Sequence, residues 1–253
     1  MSASHSLELR GVRKAFGSTE VICGVDLQLR EGERCALIGP NGAGKSSLFN
    51  LVSGRYTADG GSILLHGEDI TRLAPQQINR MGLARSFQIS SLFPRLSAFE
   101  NVRCAVLWKL GYRYAFWRRI GRLHDAADRA AAVLDKVGLR SRAHLPAGEL
   151  SYADQRALEV AVTIAADASV ILLDEPTAGM NRAEAEAMVA LIREVTAGKT
   201  LLMVEHDMEV VFDLADRIAV MDNGRVIACD DAHSIRANPD VQRLYLNRSS
   251  HAA

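Results

Sequence analysis

No apolar run in this 253-residue chain approaches the roughly 20 residues needed to span a bilayer, so any membrane role must come through a partner. Met1 to Arg10 holds no apolar h-region, which argues against a secretory signal peptide. Charge of one sign is lacking too. Lys+Arg and Asp+Glu both total 30 and the formal net charge is +0, which argues against a general nucleic-acid binder and leaves a local basic patch open. Cysteine is scarce: Cys23, Cys35, Cys104 and Cys229 are scattered and form no C-x-x-C pair. That disfavours a zinc site or a disulfide framework and fits a reducing cytoplasm. Internal repeats and low-complexity linkers are missing as well. What is present is a composition of 48% hydrophobic and 24% charged residues, enough to bury a sizeable core. The length suits one large domain, or one domain with a lobe inserted.

Leu7 to Val12 and Val21 to Leu29 alternate apolar and polar residues, as half-buried strands do. Cys35-Ala36-Leu37-Ile38 is short and wholly apolar, which suits a central buried strand. A glycine-rich turn follows, then a helical pattern from near Lys45. From about Pro94 to Ala166 the pattern is mostly helical, with alanine-rich stretches such as Asp125 to Leu134. Strand signals return at Val170 to Leu173, Thr200 to Val204 and Arg217 to Val220, with a crossover helix over 181–197. The pattern predicts an α/β core interrupted by a helical lobe and then resumed, fraying after Asn247.

Gly39-Pro40-Asn41-Gly42-Ala43-Gly44-Lys45-Ser46 matches G-x-x-x-x-G-K-[ST] between a strand and a helix, the context that makes a P-loop credible. Glycines let backbone N–H groups wrap phosphates, and the following helix, which starts through Ser47, aims its N-terminus at the anion. Lys45 can reach β- and γ-phosphates, and the Ser46 hydroxyl is placed for Mg²⁺. Val170 to Leu173 runs into Asp174-Glu175. At a strand's carboxyl end beside a P-loop, Asp174 would hold Mg²⁺ through water and Glu175 would deprotonate the attacking water. Taken alone, the same two acids read equally well as a solvated turn before Pro176.

With further motifs in order, the chain resembles the ABC ATPases. Leu150-Ser151-Tyr152-Ala153-Asp154-Gln155 is similar to the family signature and lies roughly 20 residues before Asp174-Glu175. Gln88 looks like the Q-loop glutamine that senses Mg²⁺ and contacts the membrane subunit. His206, in Val204-Glu205-His206-Asp207, resembles the switch histidine that bonds the γ-phosphate. Ala178-Gly179-Met180-Asn181 falls where the D-loop crosses a dimer interface, and Phe16 is placed like the aromatic that stacks on adenine. Each has a plainer alternative as a surface, structural or strand-end residue. His5, His66, His124, His144 and His233 show no partner pattern. The resemblance covers roughly Leu7 to Leu246. It implies a RecA-like P-loop NTPase core (1–87 and 159–253) with an antiparallel β subdomain and an inserted helical subdomain (88–158). It implies ATP and Mg²⁺ as ligand and cofactor.

Two positions depart from the family's L-S-G-G-Q: the second glycine is Ala153 and the glutamine is Asp154. In the family, one protomer's signature helix points at the γ-phosphate held by the other, and Ser151 suits the cap of that helix. Asp154 favours the helix dipole yet adds negative charge near ATP; which effect wins depends on where its side chain points. With Lys45, Asp174, Glu175 and His206 intact, a working variant is favoured over a site that stays slow until a membrane partner aligns it. The D-loop carries Asn181 where many relatives have aspartate.

The segment from Val106 to Arg122 concentrates Trp108, Tyr112, Tyr114, Phe116 and Trp117 with several arginines. It reads as a docking surface for a membrane subunit or lipid headgroups, as aromatics packed into the lobe, or as a nucleic-acid patch. An insertion here, with Leu83 to Gln88, Gly179-Met180-Asn181 and the ending Ile235 to Leu246, resembles the ATPases of branched-chain and hydrophobic amino acid importers. Such systems pair two ATPases with two integral membrane permeases and a periplasmic or extracellular solute-binding protein, and work at the cytoplasmic face of the inner (plasma) membrane. A lipid or polysaccharide exporter's ATPase would share every catalytic residue. A soluble ABC ATPase on ribosomes or DNA would carry two fused units or a coiled-coil insertion, and no nucleic-acid partner is expected.

Overall fold

A computed structural model describes residues 5–86, 92–110 and 124–249. Strands β1 (His5–Phe16) and β2 (Thr19–Arg30) form an antiparallel hairpin whose Leu7, Leu9, Val12, Leu27 and Leu29 all point inward. The wholly apolar run expected as a central strand is β3 (Arg34–Ile38), which leads through the glycine loop into α1 (Lys45–Val52). Strands β4 (Gly60–Leu65) and β5 (Glu68–Asp69) close the first sheet, an antiparallel one in the order β2-β1-β4-β5. Next come α2 (Pro75–Arg80) and β6 (Leu83–Arg85), then the lobe helices α3 (Ala98–Lys109), α4 (His124–Lys136) and α5 (Tyr152–Ala165). The alanine-rich stretch lies in α4, where Ala126, Ala130 and Leu134 bury one helical stripe.

The core then resumes as expected, with β7 (Val170–Asp174), α6 (Arg182–Val195) and β8 (Thr200–Val204). The chain finishes through α7 (Met208–Leu214), β9 (Arg217–Asp222), β10 (Arg225–Asp230), α8 (Ala232–Ala237) and α9 (Pro239–Ser249). The last helix runs two residues beyond the fraying point expected at Asn247. The second sheet has the order β10-β9-β3-β8-β7-β6, parallel except for β10. Its central strands are buried on both faces, so they read as unbroken apolar runs rather than alternating ones. Ile171, Leu173, Leu201 and Met203 face a core shared with α5, α6 and the lobe. Val170, Leu172, Leu202 and Val204 face α1 and the antiparallel sheet. At about 1.5–3 kcal/mol for each fully buried aliphatic side chain, this double burial fixes the sheet, and the carboxyl ends of β3, β7 and β8 therefore open on one edge.

Candidate active site

The loop after β3 owes its shape to glycines. Gly39 lies at φ 150°, where a Cβ would stand 2.1 Å from the Met221 carbonyl oxygen of β9. Gly44, at φ 103°, caps α1 in left-handed geometry with no side-chain cap, which leaves the helix's first amides open to an anion. The Asn223-Gly224 turn between β9 and β10 clamps the loop from outside: Gly224 N–H donates to Ala43 O (3.0 Å), and Cys23 N–H of β2 donates to Gly224 O (2.8 Å). Lys45 is buried, and its ammonium donates to Gly39 O (2.7 Å) and Pro40 O (3.0 Å). Asn41, Gly42, Ala43, Gly44, Lys45, Ser46 and Ser47 line a cavity of about 350 Å³.

Glu175 and His206 face that same cavity from the ends of β7 and β8. His206 Nε2 lies 2.8 Å from Glu175 Oε1, so against an ionised carboxylate Nε2 carries the proton. Asp174, one residue earlier, is buried and ion-paired to Arg85 of β6 at 3.0 Å. Burial pushes the Asp174 carboxyl up and outweighs the opposing Arg85 charge; the same burial pulls Arg85 down. Arg85 also donates to Asn50 Oδ1 (2.8 Å) and Ser53 Oγ (2.9 Å) of α1 and the turn after it, so one guanidinium joins the acid's strand to the P-loop helix.

Asp174 Oδ1 is buried with no hydrogen-bond partner among the described residues. A buried carboxylate oxygen left over, together with an exposed serine hydroxyl at Ser46 on the P-loop, is the hard-oxygen chemistry that Mg²⁺ takes. Among the described residues no group of three or more His, Cys, Asp or Glu could hold a metal on its own. A divalent ion here would complete its shell with phosphate and water oxygens, and the residues fit one. Gln88, expected to join that shell, lies outside the described residues, as does most of the aromatic and basic segment after Lys109.

Ser151 caps α5, its Oγ accepting from Asp154 N–H at 3.2 Å. The Asp154 side chain, whose direction the sequence left open, turns back on its own helix: Ser151 Oγ donates to Asp154 Oδ2 (2.6 Å), and Arg142 pairs with Oδ1. Ala153 is half-buried in the same turn. Tyr152 is exposed, but its hydroxyl donates to Ala178 O of its own chain at 2.7 Å. Asn181 caps α6 in a reciprocal pair with Glu184, a role an asparagine fills as well as an aspartate. Phe16 stands exposed at the end of β1, edge-on to Tyr56 with ring centroids 5.2 Å apart. Sequence reasoning missed Arg85 and Glu205. Glu205 is 3% exposed and accepts from Thr177 N–H (3.1 Å), Thr177 Oγ–H (2.7 Å) and His206 N–H (3.0 Å).

A glycine loop wrapping a lysine, an acid pair at the end of β7 and a histidine just past the end of β8, the strand between β3 and β7, define a P-loop ATPase. The chain belongs to the ABC transporter family, whose model matches residues 22–178. It is 38% identical over 252 residues to the high-affinity branched-chain amino acid transport ATP-binding protein LivG of Salmonella typhimurium, covering 96% of this chain and 98% of the relative. It is 36% identical over the same shares to BraF of Pseudomonas aeruginosa, which carries the same description. Among solved structures, the ADP conformation of an ATP-binding cassette of an ABC transporter superposes with a TM-score of 0.85 at 26% identity, covering 96% of this chain and 98% of that one. A nucleotide-free cassette superposes at 0.84 with 27% identity, covering 95% and 98%.

Proposed function

We propose that this ATPase energises an importer of branched-chain or other hydrophobic amino acids. It would work at the cytoplasmic face of the inner membrane as half of a homo- or heterodimer of ABC ATPases. Two integral membrane permeases would dock on that dimer, and a periplasmic or extracellular binding protein would deliver the solute. The observation that carries this reading is the end-to-end similarity to two branched-chain amino acid transport proteins, 36% and 38% identical across nearly the whole of both chains.

The geometry supports the chemistry. Open amides at the start of α1 would cradle the phosphates of ATP, and Lys45 would exchange its two loop carbonyls for phosphate oxygens. Ser46 and Asp174, with Gln88, would hold Mg²⁺, which supplies neutralisation of charge between the β- and γ-phosphates. Glu175 would take the proton of the attacking water, and His206 Nε2 holds that carboxylate in place until ATP binds, when its N–H would turn to the γ-phosphate. Phe16 offers a face to adenine. Across the dimer, the Ser151–Asp154 turn faces the partner's nucleotide and the D-loop at Asn181 crosses the interface. ATP has higher affinity for the closed pair, and that difference moves the equilibrium.

The test is affinity purification of tagged Glu175→Gln chain from solubilised membranes of the source cell with ATP and Mg²⁺, read by mass spectrometry. Two polytopic membrane proteins, a second ATPase and an operon-linked binding protein that binds leucine are the expected outcome. Ribosomal or DNA-bound proteins without a membrane protein would leave the ATPase standing and remove the transport reading.

A further inference from the structure

The exposed ring of Tyr152 has a fully committed hydroxyl. It donates to Ala178 O at 2.7 Å and accepts from Arg156 Nε (3.0 Å) and a second guanidinium nitrogen (2.9 Å), while the third is held by the buried Glu159 at 2.9 Å. The neighbouring Gly179, at φ 77°, lies so close that a Cβ there would stand 3.1 Å from the Tyr152 oxygen. The first turn of α5 is thus fastened to the loop that begins at Glu175.

That loop is fastened again at its other side. Thr177, next to Ala178, gives both its N–H and its hydroxyl to one oxygen of Glu205, and the other oxygen takes the His206 N–H. Among the described residues, three N–H and O–H donors satisfy this carboxylate, rather than a cation. Burying a charge in that way costs more than a neutral side chain would. What the charge supplies is a two-sided acceptor that fixes the Thr177 and His206 backbones relative to each other. His206 Nε2 then meets Glu175 Oε1 at 2.8 Å. Hydrogen bonds and adjacent residues run without a break from Arg156 through Tyr152, Ala178, Thr177, Glu205 and His206 to the catalytic carboxylate.

We propose that Tyr152 and Glu205 are positioning residues that make the placement of Glu175 depend on the angle of α5. The inference rests on the reading that Glu175 and His206 act on ATP. In it, tilting of the helical lobe is transmitted to the attacking water's base through two hydrogen-bonded links, neither of which touches the nucleotide of the same chain.

The test uses the full chain with Tyr152→Phe, which keeps the ring on Arg156, with Glu205→Gln, and with the double variant. Each single variant should lower kcat for ATP about 5- to 10-fold, the worth of one net hydrogen bond, with KM unchanged and melting temperature lowered by no more than about 2–4 °C. The double variant should lose little more than the worse single one, because both act on one connection. In ¹⁵N-histidine-labelled protein, Tyr152→Phe should displace the His206 Nε2 resonance although the ring is never touched. An unmoved His206 signal, losses that multiply in the double variant, or a kcat that falls in step with melting temperature would each overturn the proposal. If wild-type hydrolysis does not exceed that of Lys45→Ala, the assigned ATPase chemistry fails, and the histidine resonance still decides whether the link exists.

Discussion

Glu175 reaches His206 across 2.8 Å from a backbone held at φ 50°, a left-handed conformation that a non-glycine residue adopts at a cost. The strain is located at the residue proposed above as the general base, between the Val204 carbonyl that accepts its N–H and the Ala178 N–H bonded to its own carbonyl. Glu175→Gln should therefore fold normally and lose hydrolysis by about 10²- to 10⁴-fold, the usual worth of a general base. Glu175→Gly should lose as much activity while gaining about 1 kcal/mol in stability by relieving the left-handed strain. Steady-state kinetics and urea unfolding of the two variants check this.

The glycines of the phosphate loop should rank by what surrounds them. A methyl group at Gly39 meets the Met221 carbonyl at 2.1 Å, whereas one at Gly42 meets nothing within 4 Å and is strained only by φ 82°. Gly42→Ala should cost about 1–2 kcal/mol, and Gly39→Ala should cost more than about 3 kcal/mol or prevent folding. Equilibrium unfolding separates them, and equal losses would contradict the ranking.

The signature turn carries its own counter-charge. Asp154 holds the Ser151 hydroxyl at 2.6 Å, and Arg142 neutralises the carboxylate. If that hydroxyl serves the partner's nucleotide, Arg142→Ala leaves an uncompensated acid facing phosphate. It should raise the ATP concentration for half-maximal dimerisation about 5-fold, roughly 1 kcal/mol of charge interaction near a surface. Asp154→Asn should lower it, and ADP binding to either single chain should not change. Light scattering against ATP, with the Glu175→Gln background, gives the answer.

Asp59 offers a test by acid. Its carboxyl is held below the ordinary carboxylate value, first by the Ala15 N–H and then by Lys14, both at 2.8 Å. The folded pKa is lower than the unfolded one, so the stabilisation is present above the ordinary aspartate value of about 3.8 and is lost as pH falls through the folded value. Asp59→Asn should be less stable than the parent near neutrality, and the difference should vanish on acidification below that range. Denaturant midpoints measured across pH decide it.

Some of this architecture was plain in the sequence for a physical reason. Val170 to Leu173 and Thr200 to Val204 are buried on both faces, so apolar residues fill every position but Thr200 and no competing helix of that length makes sense. The strands β4, β5, β6 and β10 are not legible: β5 and β6 have two or three residues, β4 opens on Gly60-Gly61-Ser62, and β10 is a half-exposed edge with polar side chains. The Asn223-Gly224 turn between β9 and β10, where both residues take positive φ, is the signal that could have exposed this hairpin in the sequence. In the site, Lys45, Glu175 and His206 follow from motif order, but Glu205 does not. An acid after a strand reads as solvated, and only the fold reveals that it is buried against Thr177. Asp154 was legible as a departure, while its direction required the position of Arg142, twelve residues earlier.

Helix α5 begins at the Ser151 cap and ends just before β7, which itself ends at Asp174. The stretch from cap to carboxylate is therefore a ruler: fourteen helical residues set a span of about 21 Å at 1.5 Å each. Adding or deleting one residue inside it would turn the capped end by about 100° and carry Tyr152 off the Ala178 carbonyl. Side chains along α5 can drift as long as they pack, but the number of residues cannot, so in this interval chain length is itself functional information.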